Sequence, residues 1–455
     1  MMPEWSARIR HWIKTLEKEL YQPLGAVSLE GYTTYEQLSY DDAMKGKFKP
    51  MPVGTPWGRQ WEYAWLKGVI EIPACAEGKT IVMDLLPGGE STLFVDGEEF
   101  GTRRAEWVRQ KHHYICDQVL TRSARAGETF DLVIEAYAGQ YFPNEDGCCT
   151  GPVRPEDEWV DDNEKVYTEI GNSTFGIWHE EAYQLYMDVT FLNNMLLELE
   201  DDSLLTARIE EALQQFTLNV DFEQPREQRL ADYVKAREAL KPVMSLHNGT
   251  LAPEFYAIGN AHIDICWLWP YRETERKIAR TFAQQIRLMD MYPDYKFIQS
   301  QPEAYMICKK LYPKLYERIK EKIKAGQWIA EGSMWVEPDT NMSGGEALIR
   351  QLLYGKQFYK DEFGVDCKLL WLPDTFGYSA ALPQILKGCG VEYLTTQKIF
   401  WTYNGSDRFP YNYFTWQGMD GTKITSFLHM DYTSDSTPNV VIRRFKERGN
   451  AVLNQ

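Results

Sequence analysis

At 455 residues and 44% hydrophobic content, the chain is longer than one hydrophobic core usually serves, so two or three globular domains are expected. Its formal net charge of -17, with 49 Lys and Arg against 66 Asp and Glu, argues against a nucleic-acid or anionic-membrane partner, because cations are what neutralise phosphates. No stretch approaches 18 uninterrupted apolar residues, and the start has no apolar signal-like region, so a cytoplasmic setting is expected.

The chain opens with Ile9, Trp12, Ile13, Leu16 and Leu20 at helical spacing, which predicts an amphipathic helix. From about residue 57 to 140 short alternating runs such as "WEYAWLKGVIEIP" and "TFDLVIEAYAG" are broken by Gly and Pro. With an Asp96-Gly97 hairpin signal, they predict an antiparallel β-sandwich. Residues 141 to 180 read as irregular. Leu205, Ile209, Leu213 and Phe216 then mark a helix within a helical connector. The expected domains are 1–180 (helix plus sandwich), 181–252 (connector) and 253–455 (catalytic). The eight Cys, Cys75 to Cys389, include no CxxC pair and read as reduced thiols.

After residue 252 strand-like and helix-like runs alternate: "FYAIGNAHID", "YKFIQS", "QWIAEG" and "KLLWLPD", each followed by helical sequence, then "EYLTTQK" and "ITSFLHMD". This pattern predicts an α/β domain with a parallel sheet or barrel, its site at the carboxyl ends of the strands. Ser343 with Glu346 forms a capping-box pattern that places a helix start at Ser343.

Three strand ends carry candidate chemistry. His262 and Asp264, two apart in a strand, would point to one face and could aim a nitrogen and an oxygen at the same cation. The same pair also suits an ordinary hydrogen-bonded histidine. Asp374 follows "LLWLP", where it could instead cap the next helix. His429, Asp431 and Asp435 follow the last strand, where turn-forming roles compete. Acidic groups, a metal site and tryptophans together suit cleavage of a glycosidic bond.

The segments "GNAHIDICWLWP", "SQPEAY", "GSMWVEPDTNMSGGEALIRQLLYGKQFY", "WLPDTFGYSAALPQIL" and "TTQKIFW" together resemble the catalytic domain of glycoside hydrolase family 38 α-mannosidases, the cytosolic and vacuolar branch in particular. The resemblance spans roughly residues 253 to 430, with the motifs in the family's order. It implies a β/α-barrel, seven-stranded in the family, and a zinc-dependent retaining α-mannosidase that acts on mannose-containing oligosaccharides. Co2+ is an alternative ion. The family's His-x-Asp motif falls on His262 and Asp264 as zinc ligands. Its Asp-x-Phe-Gly motif falls on Asp374, as ligand and nucleophile. Its aromatic floor falls on Trp267, and a basic residue beside the nucleophile falls on Lys398. The acid/base, an Asp after the "HM" strand, falls on Asp431, with Asp435 second.

Two departures qualify the match. The family's fourth zinc ligand is a distant downstream histidine, and His429 stands too early in the chain to be it. Members also run to about twice this length, so the chain is expected to be truncated within or just after the catalytic domain, with an incomplete barrel and little activity in isolation. A metal-dependent carbohydrate deacetylase and a non-catalytic glycan-binding fragment are the rival readings, and a homo-oligomer is left open.

Overall fold

The computed structural model describes residues 2–103, 115–139, 166, 168–247, 249, 254–267, 269–400, 411–429 and 436–453. The first part is a two-layer sandwich of antiparallel strands. One sheet runs Tyr21–Ala26, Thr174–Trp178, Ile81–Asp84, Val119–Thr121. The other runs Lys49–Pro50, Glu30–Thr34, Tyr63–Glu71, Thr129–Tyr137, Glu90–Val95, Glu98–Arg103. The sandwich therefore draws strands from well outside the alternating window 57–140. Thr174–Trp178, "TFGIW", corrects the irregular reading of that region. Its Phe175 and Ile177 face the sandwich core, and its partners on both sides are remote in sequence.

Period-two alternation assigns each strand's two faces. Ala64, Leu66 and Ile70 enter the core shared by both sheets, whereas Trp65 turns outward to pack with Phe94 and Val133. Asp96 and Gly97 both adopt positive φ, 52° and 81°, between Glu90–Val95 and Glu98–Arg103, as a tight primed hairpin turn requires.

The N-terminal helix Pro3–Glu17 packs with Glu180–Met195, Leu204–Asn219 and Arg226–Met244 in one apolar cluster around Ile9, Leu16, Leu185, Val189, Leu213, Phe216 and Leu240. Val82 reaches into this cluster, while Ile81 and Met83 on either side of it point into the sandwich. The four-stranded sheet is thus covered on both faces.

The third part alternates strand and helix. Gly259–Asn260, Phe297–Gln299 and Trp328–Ala330 pair in parallel. A parallel bridge from Gly332 to Leu370 links them to Leu369–Leu372, Tyr393–Thr396 and Lys423–Leu428, also parallel. Tyr413–Gln417 then pairs antiparallel at the edge. Among the described residues the first and last strands do not pair, so they form an open sheet and no closed barrel.

Local readings shift as well. The "FYAIGNAHID" strand is reduced to Gly259–Asn260, so His262 and Asp264 lie just past its end. The helix read as opening at Ser343 begins at Gly345, with Gly344 as its N-cap and no side-chain cap. Glu346 instead pairs with Arg350 one turn on, at 2.9 Å, so no capping box forms. The Cys residues among the described positions, such as Cys75, Cys266 and Cys308, are free thiols.

Candidate metal centre

Two carboxyl ends of the parallel sheet bring three donor residues to one point. The segment after Gly259–Asn260 brings His262 and Asp264, and the loop after Leu369–Leu372 brings Asp374. One donor atom from each lies within 4.8 Å of the other two, the one such set of three among the described residues. The Nε2 of His262 is 3.2 Å from Asp264 Oδ1 and 3.4 Å from Asp374 Oδ2. These separations match the edges of a tetrahedron with metal–ligand bonds of about 2.1 Å, which would be about 3.4 Å. One imidazole nitrogen and two carboxylate oxygens also form a donor set that suits zinc or another borderline divalent ion. The residues present fit a bound cation.

Supports surround the set. The Nδ1 of His262 is 3.1 Å from Glu337 Oε2, and Ser300 Oγ donates to Glu337 Oε1 at 2.6 Å. Gln301 Nε2 donates to the carbonyl of Ile263, between the two ligands, at 2.9 Å, and Thr274 Oγ1 donates to the carbonyl of Asp264. The Lys398 ammonium, nearly fully buried, stands 2.6 Å from Asp374 Oδ1.

Electrostatics follow from this crowding. Burial disfavours the charged His262 ring, but Glu337, Asp264 and Asp374 outweigh it and hold its pKa well above the ordinary imidazole value. The same negative surroundings attract a divalent cation, which competes with the proton for Nε2. Burial would raise the pKa of Asp374, yet hydrogen bonds from His262 and Lys398 lower it below the usual carboxylate value.

Trp267 is 58% exposed, its ring edge-on to Trp269 at 5.8 Å. Trp269 is fixed in turn: its Nε1 donates to Thr274 Oγ1 at 3.0 Å, and the Lys277 ammonium lies 4.4 Å from its ring centre. His429 stands apart from the donor set, bonded to Thr395 Oγ1 at 2.8 Å and packed against Trp371. Asp431 and Asp435 lie outside the described residues.

Glu337, Ser300 and Gln301 had no role in the sequence reading, although "SQPEAY" and "WVEPD" were among its motifs. The signal that could have found them is position: Ser300 and Gln301 follow one parallel strand and Glu337 the next, on the rim that carries His262.

The fold is a parallel sheet behind a β-sandwich, with acidic and imidazole donors gathered at its carboxyl rim where they could hold a metal ion. Residues 252–455 match the glycosyl hydrolases family 38 N-terminal domain, and residues 23–169 match the alpha-mannosidase jelly roll domain. Residues 252–455 are thus similar to glycosyl hydrolase family 38, behind a region similar to an alpha-mannosidase jelly roll. Alpha-mannosidase G of Dictyostelium discoideum is 34% identical over 418 residues, 91% of this chain and 36% of that protein. Alpha-mannosidase 2C1 of Homo sapiens is 31% identical over 434 residues, 91% of this chain and 40% of that protein. Alpha-mannosidase of Saccharomyces cerevisiae is 31% identical over 432 residues, 88% and 36% respectively. The chain therefore spans between 36% and 40% of the length of these relatives. An alpha-mannosidase structure from Enterococcus faecalis V583 aligns with a TM-score of 0.37 at 20% identity, over 43% of this chain and 23% of that one.

Proposed function

We propose that the protein to which this chain belongs is a metal-dependent retaining α-mannosidase that removes terminal α-linked mannose from oligosaccharides. The observation that carries the reading is the meeting of Asp374 with His262, Asp264 and Lys398 at the sheet rim. His262, Asp264 and Asp374 would hold the cation, with zinc the favoured ion and Co2+ an alternative. Bound there, it supplies Lewis-acid stabilisation of sugar hydroxyls and of developing charge.

The protein's own residues divide the remaining work. Asp374, kept ionised by its neighbours, attacks the anomeric carbon. Lys398 holds Oδ1 of that carboxylate, which fixes its orientation and leaves Oδ2 turned towards His262. Trp267 offers an exposed ring face on which the apolar side of a mannose ring stacks. Asp431, with Asp435 second, is the proposed acid that protonates the leaving oxygen and then the base that activates water. Two displacements return the α-configuration. We further propose the domains 1–180, 181–252 and 253–455 and a cytoplasmic setting; no helix among the described residues is long and apolar enough to cross a membrane.

The test is hydrolysis of an aryl α-mannoside by the protein stripped of metal by a chelator and then resupplied with zinc, with the first-formed sugar anomer read by NMR. Zinc-restored release of α-mannose is expected. Release of acetate from an acetylated sugar without glycoside cleavage would favour a deacetylase and sink the reading. Asp374→Ala is expected to abolish cleavage and weaken metal binding together, whereas Trp267→Ala should keep metal and raise KM.

A further inference from the structure

We propose that Glu337 is the positioning residue of the cation set, fixing which nitrogen of His262 faces Asp264 and Asp374. The proposal rests on the metal-site reading above and assigns a role to a residue outside the donor set.

The geometry is that of a strut. Glu337 is held at Oε1 by Ser300 Oγ, which donates at 2.6 Å, and its Oε2 lies 3.1 Å from His262 Nδ1. Both side chains are largely enclosed, 7% exposed for Glu337 and 11% for His262, so water competes little for these bonds. Glu337 approaches Nδ1 of the imidazole, whereas Asp264 and Asp374 approach Nε2. It stands outside the set of three donor residues.

A carboxylate that accepts from Nδ1–H leaves the Nε2 lone pair free to donate to a cation, and it also fixes the plane of the ring. Without it the ring can turn or take the other tautomer, presenting N–H where the cation needs a lone pair.

A second brace keeps the ligand backbone in register. Gln301 adopts φ of 63°, a strained left-handed conformation for a non-glycine residue, with its side chain bonded to the Ile263 carbonyl. Consecutive strand ends therefore supply the ligand (His262), the brace of its strut (Ser300) and the strut itself (Glu337).

Zinc affinity of the full chain, measured by competition with a chromophoric chelator, tests the proposal, together with the visible spectrum of the Co2+ form. Glu337→Gln, nearly isosteric, is expected to weaken binding about tenfold, and Glu337→Ala up to about 100-fold, with one ion per chain still bound at saturation. Ser300→Ala should give a smaller loss, and the Co2+ bands should shift in each variant. Circular dichroism of the metal-free proteins shows whether each variant is folded, and if Glu337→Ala is not, Glu337→Gln decides alone. Affinity within twofold of wild type, with an unchanged Co2+ spectrum, would overturn the positioning role while the site stands. A wild-type chain that takes up no zinc, or a His262→Ala variant with unchanged affinity, would instead overturn the metal-site reading and the proposal with it.

Discussion

His429 shows how burial separates two histidines of one sheet rim. His262 is ringed by carboxylates that hold its proton, whereas burial pushes the pKa of His429 down to about 4. A folded pKa below the unfolded value of about 6.5 means that the proton favours the unfolded chain. The stability linked to neutral His429 is therefore fully present above the unfolded pKa and is lost as pH falls towards 4. At pH 5 the loss is about 2 kcal/mol. Denaturation of wild type and His429→Phe at pH 7 and pH 5 should show a smaller acid-induced loss in the variant. Equal losses would show that His429 stays exposed enough to titrate normally.

Loops and helices carry the site through a few close approaches. Gly377, in the loop that holds Asp374, has no room for a side chain: a Cβ there would meet Asp339 Oδ1 at 2.0 Å. Asp339 cannot easily yield, because that oxygen accepts from the amides of Asn341 at 2.9 Å and Met342 at 3.2 Å. Gly377→Ala is expected to cost about 1–3 kcal/mol and to weaken zinc binding as the Asp374 loop shifts, both measurable on the purified chain. Wild-type zinc affinity would show that the loop absorbs the clash elsewhere.

The helix Tyr271–Met291 makes the corresponding link to the sandwich. Its buried Arg280 bonds Glu273 at 2.5 Å and Glu90 at 3.0 Å, and Lys277 reaches Glu90 at 2.5 Å while covering Trp269. Arg280→Met leaves Glu273, which is fully buried, short of a charged partner. A destabilisation of about 3–5 kcal/mol is expected in urea unfolding. A loss under 1 kcal/mol would mean that Tyr63, which donates to Glu273 at 2.6 Å, suffices.

The molecule as a whole is held by such cross-contacts. The sandwich supplies Glu90 and Glu135 to cations of the Tyr271–Met291 helix, and the Phe100 ring lies under Arg287 at 3.4 Å. Removing residues 1–179 takes Glu135 from Arg276 and Glu90 from Lys277 and Arg280, and uncovers the helix face that packs on the sandwich. Such a fragment is expected to lose cooperative thermal unfolding and its near-UV circular dichroism, which reports fixed aromatic packing. A fragment that melts sharply, at the temperature of the full chain, would show that the third part folds without the sandwich.

Local chemistry was legible wherever neighbours in sequence decide the outcome. Asp96-Gly97 had to turn, because few other residues accept positive φ at adjacent positions. The helical spacing of Leu205 to Phe216 had to form a helix, and strand-to-helix alternation after residue 252 had to give parallel pairing. The rim residues His262, Asp264 and Asp374 could be named from the same alternation, and Lys398 from the family resemblance alone. Tertiary structure alone decided what depends on partners far along the chain. Thr174–Trp178 became a strand because Tyr21–Ala26 and Ile81–Asp84 flank it, and Ser343 lost its cap because the helix started two residues later. Glu337 came to lie near His262, 75 residues away in sequence, because the strands that precede them flank Phe297–Gln299 in one parallel sheet, and no periodicity within either segment encodes that meeting.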